Sequence, residues 1–252
     1  MTPGPHVLIE VCVDSVASGI AAERGGADRL ELCSSLIEGG VTPSSGLIEN
    51  IRAAVSLPVH IMIRPRGGDF CYDPDEFEVM RWDIMHAKKQ GANGVVFGVL
   101  IANGQVDCDR TRQLVELSRP LSVTFHRAFD MSADLFRALE DVCTTGVDRL
   151  LTSGGKLTAL QGSENIAQLV LKVQNRIAVM AGSGIKPHNA AQLVRATGVS
   201  EVHVGLRTSR PSPMVHSNSC VSMGTAEGRE YQRFGVREED VRDLRMALTD
   251  KS

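Results

Sequence analysis

A carboxylate and a thiol occur two residues apart at two places near the start of the sequence. The segments LIEVC and RLELC place Glu10 before Cys12 and Glu31 before Cys33. Side chains two residues apart on a β-strand point to the same face. If the two segments are neighbouring strands, their thiols can approach each other closely enough to share one metal ion.

Each of these residues has a second interpretation. A buried cysteine is often no more than a small hydrophobic residue, and a buried glutamate often belongs to a structural ion pair with arginine or histidine. The repeated pairing favours a ligand or redox role for Cys12 and Cys33. Glu10 and Glu31 are then expected one layer deeper in the core, each paired with an arginine or a histidine.

Short β-branched runs alternate with longer segments of helical periodicity along the whole sequence. Eight runs are predicted to be strands, and they cover residues 6–13, 29–33, 59–64, 94–100, 121–126, 148–152, 176–182 and 201–205. Alternating strands and helices indicate βαβ units and a parallel sheet. Eight such units in 252 residues are typical of an α/β protein with a single (β/α)8 barrel of the TIM type. The main alternative, an open doubly wound sheet, usually carries a Gly-x-Gly-x-x-Gly motif after its first strand, and none occurs here.

The pattern continues to the end of the sequence, so we expect one barrel domain over residues 1–252. One segment departs from it. Residues 206–234 are polar and too long for an ordinary loop between a strand and a helix, and they are predicted to be irregular. Apolar residues at helical spacing predict a last helix over 236–248.

Barrels of this type carry their functional groups at the carboxyl ends of the strands. At that end Glu10, Glu31, Arg64 and His126 could form an active site in which two carboxylates divide the acid and base roles. His126 could equally be a hydrogen-bonding scaffold. Glycine-rich turns follow the seventh and eighth strands and could bind an anion through backbone N–H groups, although tight turns need glycine in any case. This candidate anion site comprises Gly182, Ser183, Gly184 and Gly205.

Charge and hydropathy exclude several classes of partner. The formal net charge is −3 at pH 7, which gives no electrostatic reason to expect nucleic acid or an anionic membrane surface. Residues 1–6 have neither a charged nor an apolar signal region, so we expect no secretory signal, and no apolar run is long enough to span a bilayer. We therefore expect a cytoplasmic protein without a membrane partner, whose six cysteines are reduced.

Five longer motifs resemble those of the CutC copper homeostasis family, and most closely its animal members. They are LIEVCVDSVASGIAAERGGADRLELC, VHIMIRPRGGDFCY, VTFHRAFD, RLLTSGG and VMAGSGI, and the resemblance extends over residues 7–205. It implies a TIM-type barrel, a location in the cytoplasm and also in the nucleus of eukaryotes, and a homo-oligomer that is a dimer or a tetramer. It also implies a copper ion, Cu(I), bound through Cys12 and Cys33 for intracellular storage or trafficking.

Two functions therefore stay open from the sequence. In the first, Cys12 and Cys33 hold cuprous copper, a soft ion that prefers thiolate donors, and Arg64 and Arg66 at the rim offset the excess negative charge. In the second, the same end of the barrel is the active site of a lyase or isomerase that acts on a small anionic or phosphorylated metabolite. A protein with neither function would have this end filled by side chains.

Overall fold

The computed structural model describes residues 6–218, 220–221, 223 and 229–249 of the chain. Eight parallel strands close into a barrel in chain order, and β8 pairs with β1, which confirms the predicted architecture. The strands are β1 Leu8–Val13, β2 Arg29–Leu32, β3 Val59–Met62, β4 Gly94–Phe97, β5 Ser122–Phe125, β6 Arg149–Thr152, β7 Ala178–Gly182 and β8 Glu201–Val204.

Helices follow the strands and surround the barrel. They are α1 Val16–Arg24, α2 Ser45–Ala54, α3 Pro74–Lys89, α4 Cys108–Ser118, α5 Leu135–Thr144, α6 Ser163–Val173, α7 Pro187–Thr197 and α8 Glu238–Thr249. Local chemistry sets where they begin and end. In α3 the side chain of Asp73 accepts from the backbone N–H of Glu76, whose own side chain accepts from the Asp73 N–H, and Pro74 occupies the first turn. Helix α7 ends at Gly198, where a positive φ of 72° suits glycine.

The strands are buried on both faces, as expected for a parallel sheet covered by helices. Ile9 and Val11 of β1 are fully buried and belong to the apolar layer between the strands and the helices. The alternate residues, Glu10 and Cys12, point into the barrel, where Glu10 contacts Arg29 of β2. In β1 the alternation thus places apolar side chains outside the barrel wall and a carboxylate and a thiol inside it.

The segment 206–234, expected to be irregular, begins and ends in strands. Strand β9, Arg207–Pro211, pairs antiparallel with β10, Gln232–Val236. The backbone N–H of Val236 donates to the hydroxyl of Ser18 at 3.2 Å, which fastens this hairpin to α1. The helix expected over 236–248 occupies Glu238–Thr249, because β10 extends through the first of those residues. Of the helices in the described part of the chain, none is long and apolar enough to cross a membrane.

Candidate functional site

The two sulfur atoms predicted to meet are in contact inside the barrel. Cys12 Sγ and Cys33 Sγ lie 3.2 Å apart, and the two residues are 5% and 0% exposed. Cys12 is in register with Glu31 rather than with Cys33, which follows the last residue of β2. Barrel strands are tilted and staggered, and this stagger is compatible with contact between side chains that are not in register.

Both cysteines are free thiols. The hydrogen bond with Cys33 and burial raise the pKa of Cys12 well above its ordinary value, and the charge of Glu31 adds to the effect. One ligand atom each from Cys12, Cys33 and Glu31 lies within 4.8 Å of the others. Oε1 of Glu31 is buried and has no hydrogen-bond partner. Two sulfurs and one carboxylate oxygen of Glu31 therefore form a compact donor set that a metal ion could use.

Beneath the thiols, charged side chains fill the barrel and form its floor. Arg29 Nε donates to Glu10 Oε2 at 2.5 Å, and Arg29 Nη2 donates to Glu201 Oε2 at 2.6 Å. Arg149 completes the chain by donating to Glu201 at 2.5 Å. Burial opposes ionisation of Glu10, but the hydrogen bond from His203 and the charge of Arg29 outweigh it and hold the pKa of Glu10 far below its usual range. Glu10 is thus paired with an arginine and a histidine, as the sequence led us to expect. With both oxygens occupied it is unsuited to the catalytic role that the sequence also left open for it.

Glu31 has a different environment. Burial raises its pKa, while the charges of His203 and Arg29 only partly offset this effect. Its nearest cationic neighbour is His203, whose Nε2 lies 3.8 Å from Glu31 Oε2. His203 Nδ1 donates to Glu10 Oε1 at 2.7 Å, and the two carboxylates raise the pKa of His203 despite its burial. One imidazole therefore bridges the two glutamates that the sequence placed together.

A cavity of about 680 Å³ opens above the thiols at the carboxyl end of the barrel. Cys12, Glu31 and His203 lie at its base, and Arg64 and His126 lie in its wall. Arg66 does not line it, because its guanidinium pairs with Glu76 at 2.5 Å in the neighbouring loop. Most of the predicted site residues thus share one cavity, whereas Glu10 lies below it and Cys33 behind Cys12.

The glycine-rich turns contribute less than their position suggested. Ser183, Gly184 and Gly205 line the cavity, but Gly182 is the last residue of β7 and does not. The hydroxyl of Ser183 donates to the carbonyl of Leu157 at 2.7 Å and is not free for a ligand. Helix α7 starts with a proline, which has no N–H to offer. Anion binding at these turns stays a prediction.

Sequence reasoning missed three functional neighbours of the predicted residues: Arg29, Glu201 and His203. The signal was present in the alternation of β2 and β8, since RLEL and EVHV each place two polar residues two positions apart. The register in which β8 pairs with β1 could not be predicted from the sequence. That register sets His203 opposite Glu10, 193 residues earlier in the chain.

Comparison with known proteins adds an independent line of evidence. Residues 7–208 match the sequence model of the CutC family. The copper homeostasis protein cutC homolog of Mus musculus is 48% identical over 242 residues, which cover 96% of this chain and 88% of the mouse protein. The homolog of Homo sapiens is 49% identical over 219 residues, 87% of this chain and 80% of the human protein.

A solved structure agrees. The crystal structure of a CutC protein from Streptococcus agalactiae superposes with a TM-score of 0.75 at 30% sequence identity, and covers 78% of this chain and 97% of the bacterial one. Sequence match and shared fold lead to the same conclusion: the chain belongs to the CutC family.

Proposed function

We propose that this chain binds one cuprous ion through the thiolates of Cys12 and Cys33 and serves copper homeostasis by holding it in the cell. The observation that supports this proposal is the contact of the two sulfurs at 3.2 Å at the base of an open cavity. Thiolates are the donors that Cu(I) prefers among protein groups. The copper homeostasis names of the mouse and human relatives support copper as the metal.

The surroundings of the sulfurs suit a soft ion that must not be oxidised. Met62 and Val96 pack with the two cysteines in one apolar cluster, and Leu36 covers it. Gly40 keeps room beside the pair, because a Cβ there would lie 3.3 Å from Cys33 Sγ. Cys12 lines the cavity, so that the ion can enter from the mouth of the barrel. Binding requires the thiols to lose their protons, and the carboxylate of Glu31 beside them is an acceptor.

A cuprous titration against a chromogenic Cu(I) chelator tests this proposal. We expect the wild type to bind one Cu(I) ion per chain tightly. Either Cys12→Ser or Cys33→Ser should weaken this binding, and the double variant should not take Cu(I) from the chelator. The matched control is Cys71→Ser with Cys143→Ser, which removes two thiols outside the site and should leave the stoichiometry unchanged. A double variant at Cys12 and Cys33 that titrates like the parent would contradict the proposal.

A lyase or isomerase is the second candidate, and one observation favours it. Glu31 is a buried carboxyl with a free oxygen and a raised pKa beside a cavity large enough for a metabolite, which is the condition of many general acids and bases. Glu10 is excluded from such a role by its two occupied oxygens. The test is a metabolite screen by thermal shift, followed by turnover assays on Glu31→Gln; a screen without any stabilising compound would count against an enzyme.

A further inference from the structure

Arg64 carries a buried positive charge that no described carboxylate neutralises. The residue is 5% exposed, and its guanidinium donates to the backbone carbonyls of Glu38 at 2.6 Å, Gly40 at 2.9 Å and Gly68 at 2.8 Å. It also lies over the ring of Phe70 at 5.0 Å and beside the phenol of Tyr72. A buried charge without a counter-charge is costly. Because Arg64 lines the cavity, an anion in the cavity would supply the missing charge.

His126 stands beside Arg64 in the same wall and presents a donor without a partner. Its Nδ1 accepts a hydrogen bond from the backbone N–H of Ala128 at 3.2 Å. In a neutral imidazole the other nitrogen then carries the proton, so that Nε2 is an N–H donor. Nε2 is buried and makes no hydrogen bond in the described structure.

The imidazole is also held neutral. Burial and the charge of Arg64 lower the pKa of His126 to about 3. The ring of Phe70 contacts His126 edge-on, with centroids 5.0 Å apart, and also lies under Arg64. One aromatic side chain thus sets both groups side by side. The N–H of His126 and the positive charge of Arg64 together suit an oxygen anion. A metal cation would be repelled by Arg64 and would find no lone pair on His126 Nε2.

We propose that the cavity binds a small organic oxyanion, a carboxylate or a phosphate ester, whose charge is balanced by Arg64 and whose oxygen accepts from His126 Nε2–H. The cavity volume of about 680 Å³ lies within the range of small-molecule sites. The anion sits in the wall of the mouth and not on the sulfurs. The inference therefore goes beyond copper binding and does not depend on it.

Side-chain ¹⁵N–¹H NMR of the metal-free wild-type protein tests the proposal directly. His126→Asn assigns the imidazole signal of His126 by its disappearance. We expect a neutral Nε2–H tautomer whose resonance shifts saturably when inorganic phosphate or malonate is added. Saturation with phosphate alone identifies a phosphate ester as the ligand class, and saturation with malonate alone identifies a carboxylate. A proton on Nδ1, or no saturable shift with either anion, would overturn the proposal.

Variants measure the same interaction by calorimetry. Arg64→Met and His126→Asn should each weaken binding of the anion that saturates by roughly tenfold or more, since each removes one charge-assisted contact. Arg66→Met removes a guanidinium of the neighbouring loop that does not line the cavity and should bind like the parent. The double serine variant at Cys12 and Cys33 should also keep its anion affinity, so that a failure of copper binding and a failure of anion binding are told apart. Equal affinities for Arg64→Met and Arg66→Met would refute the role of Arg64.

Discussion

The removal of Arg29 should destabilise the barrel strongly. Its side chain is 5% exposed and bridges two carboxylates, Glu10 at 2.5 Å and Glu201 at 2.6 Å. Arg29→Met leaves Glu10, which is 0% exposed, with His203 as its single partner. Removing one member of a buried ion pair typically costs about 3–5 kcal/mol, a large fraction of the 5–15 kcal/mol that usually stabilises a domain. We expect a loss of that size in the free energy of unfolding.

Urea unfolding at neutral pH, followed by circular dichroism, measures this loss. The matched control is Arg176→Met, which breaks an exposed pair with Glu140 and should leave the midpoint almost unchanged. Adding Glu10→Gln to Arg29→Met removes the stranded charge and should recover part of the stability. A loss below about 1 kcal/mol for Arg29→Met would refute the view that Glu10 depends on this arginine.

Three further outcomes follow from buried groups. The pKa of His126 is lowered to about 3, so its imidazole stays neutral in the folded chain but takes up a proton in the unfolded chain below its ordinary pKa. The free energy of unfolding therefore falls as the pH falls. Between about pH 7.5 and about pH 5, His126→Asn should lose about 2 kcal/mol less of this free energy than the parent. Gly94→Ala should destabilise by about 1–3 kcal/mol in thermal or urea unfolding, because its Cβ would lie 2.6 Å from the His60 ring. A thiol reagent should modify exposed Cys71 quickly and Cys12 slowly, since Cys12 is buried with a raised pKa. Mass spectrometry over a time course measures the two rates, and faster modification of Cys12 would contradict this expectation.

The order of the elements was predictable because each depends on its own segment of chain. The alternation of β-branched runs with amphipathic segments indicates eight strand–helix units, and a parallel sheet of that size closes into a barrel. The ends of the 206–234 segment were not predictable in this way. Strands β9 and β10 gain their hydrogen bonds from each other and from Ser18 of α1, and the polar sequence between them carries no clear period.

The candidate site was also predictable only in part. The spacing of Glu10, Cys12, Glu31 and Cys33 predicts that two carboxylates and two thiols face the inside of adjacent strands, because the period of a strand is a local property. Which carboxylate would keep an oxygen without a hydrogen-bond partner depended on residues far away in the chain. Glu10 is occupied by Arg29 and His203, while Glu31 keeps an oxygen without a partner.

The sequence alone was therefore sufficient for the barrel and for the direction in which the paired side chains point. The contact between the two sulfurs, whose residues are not in register, was decided by the folded chain. The folded chain added the closure of β8 against β1, which brings His203 to Glu10 across 193 residues, and the loops whose backbone carbonyls accept from the buried guanidinium of Arg64. Both depend on the register and stagger of strands far apart in the chain. Such distances are set by the packing of the whole barrel and leave no periodic trace in any one segment.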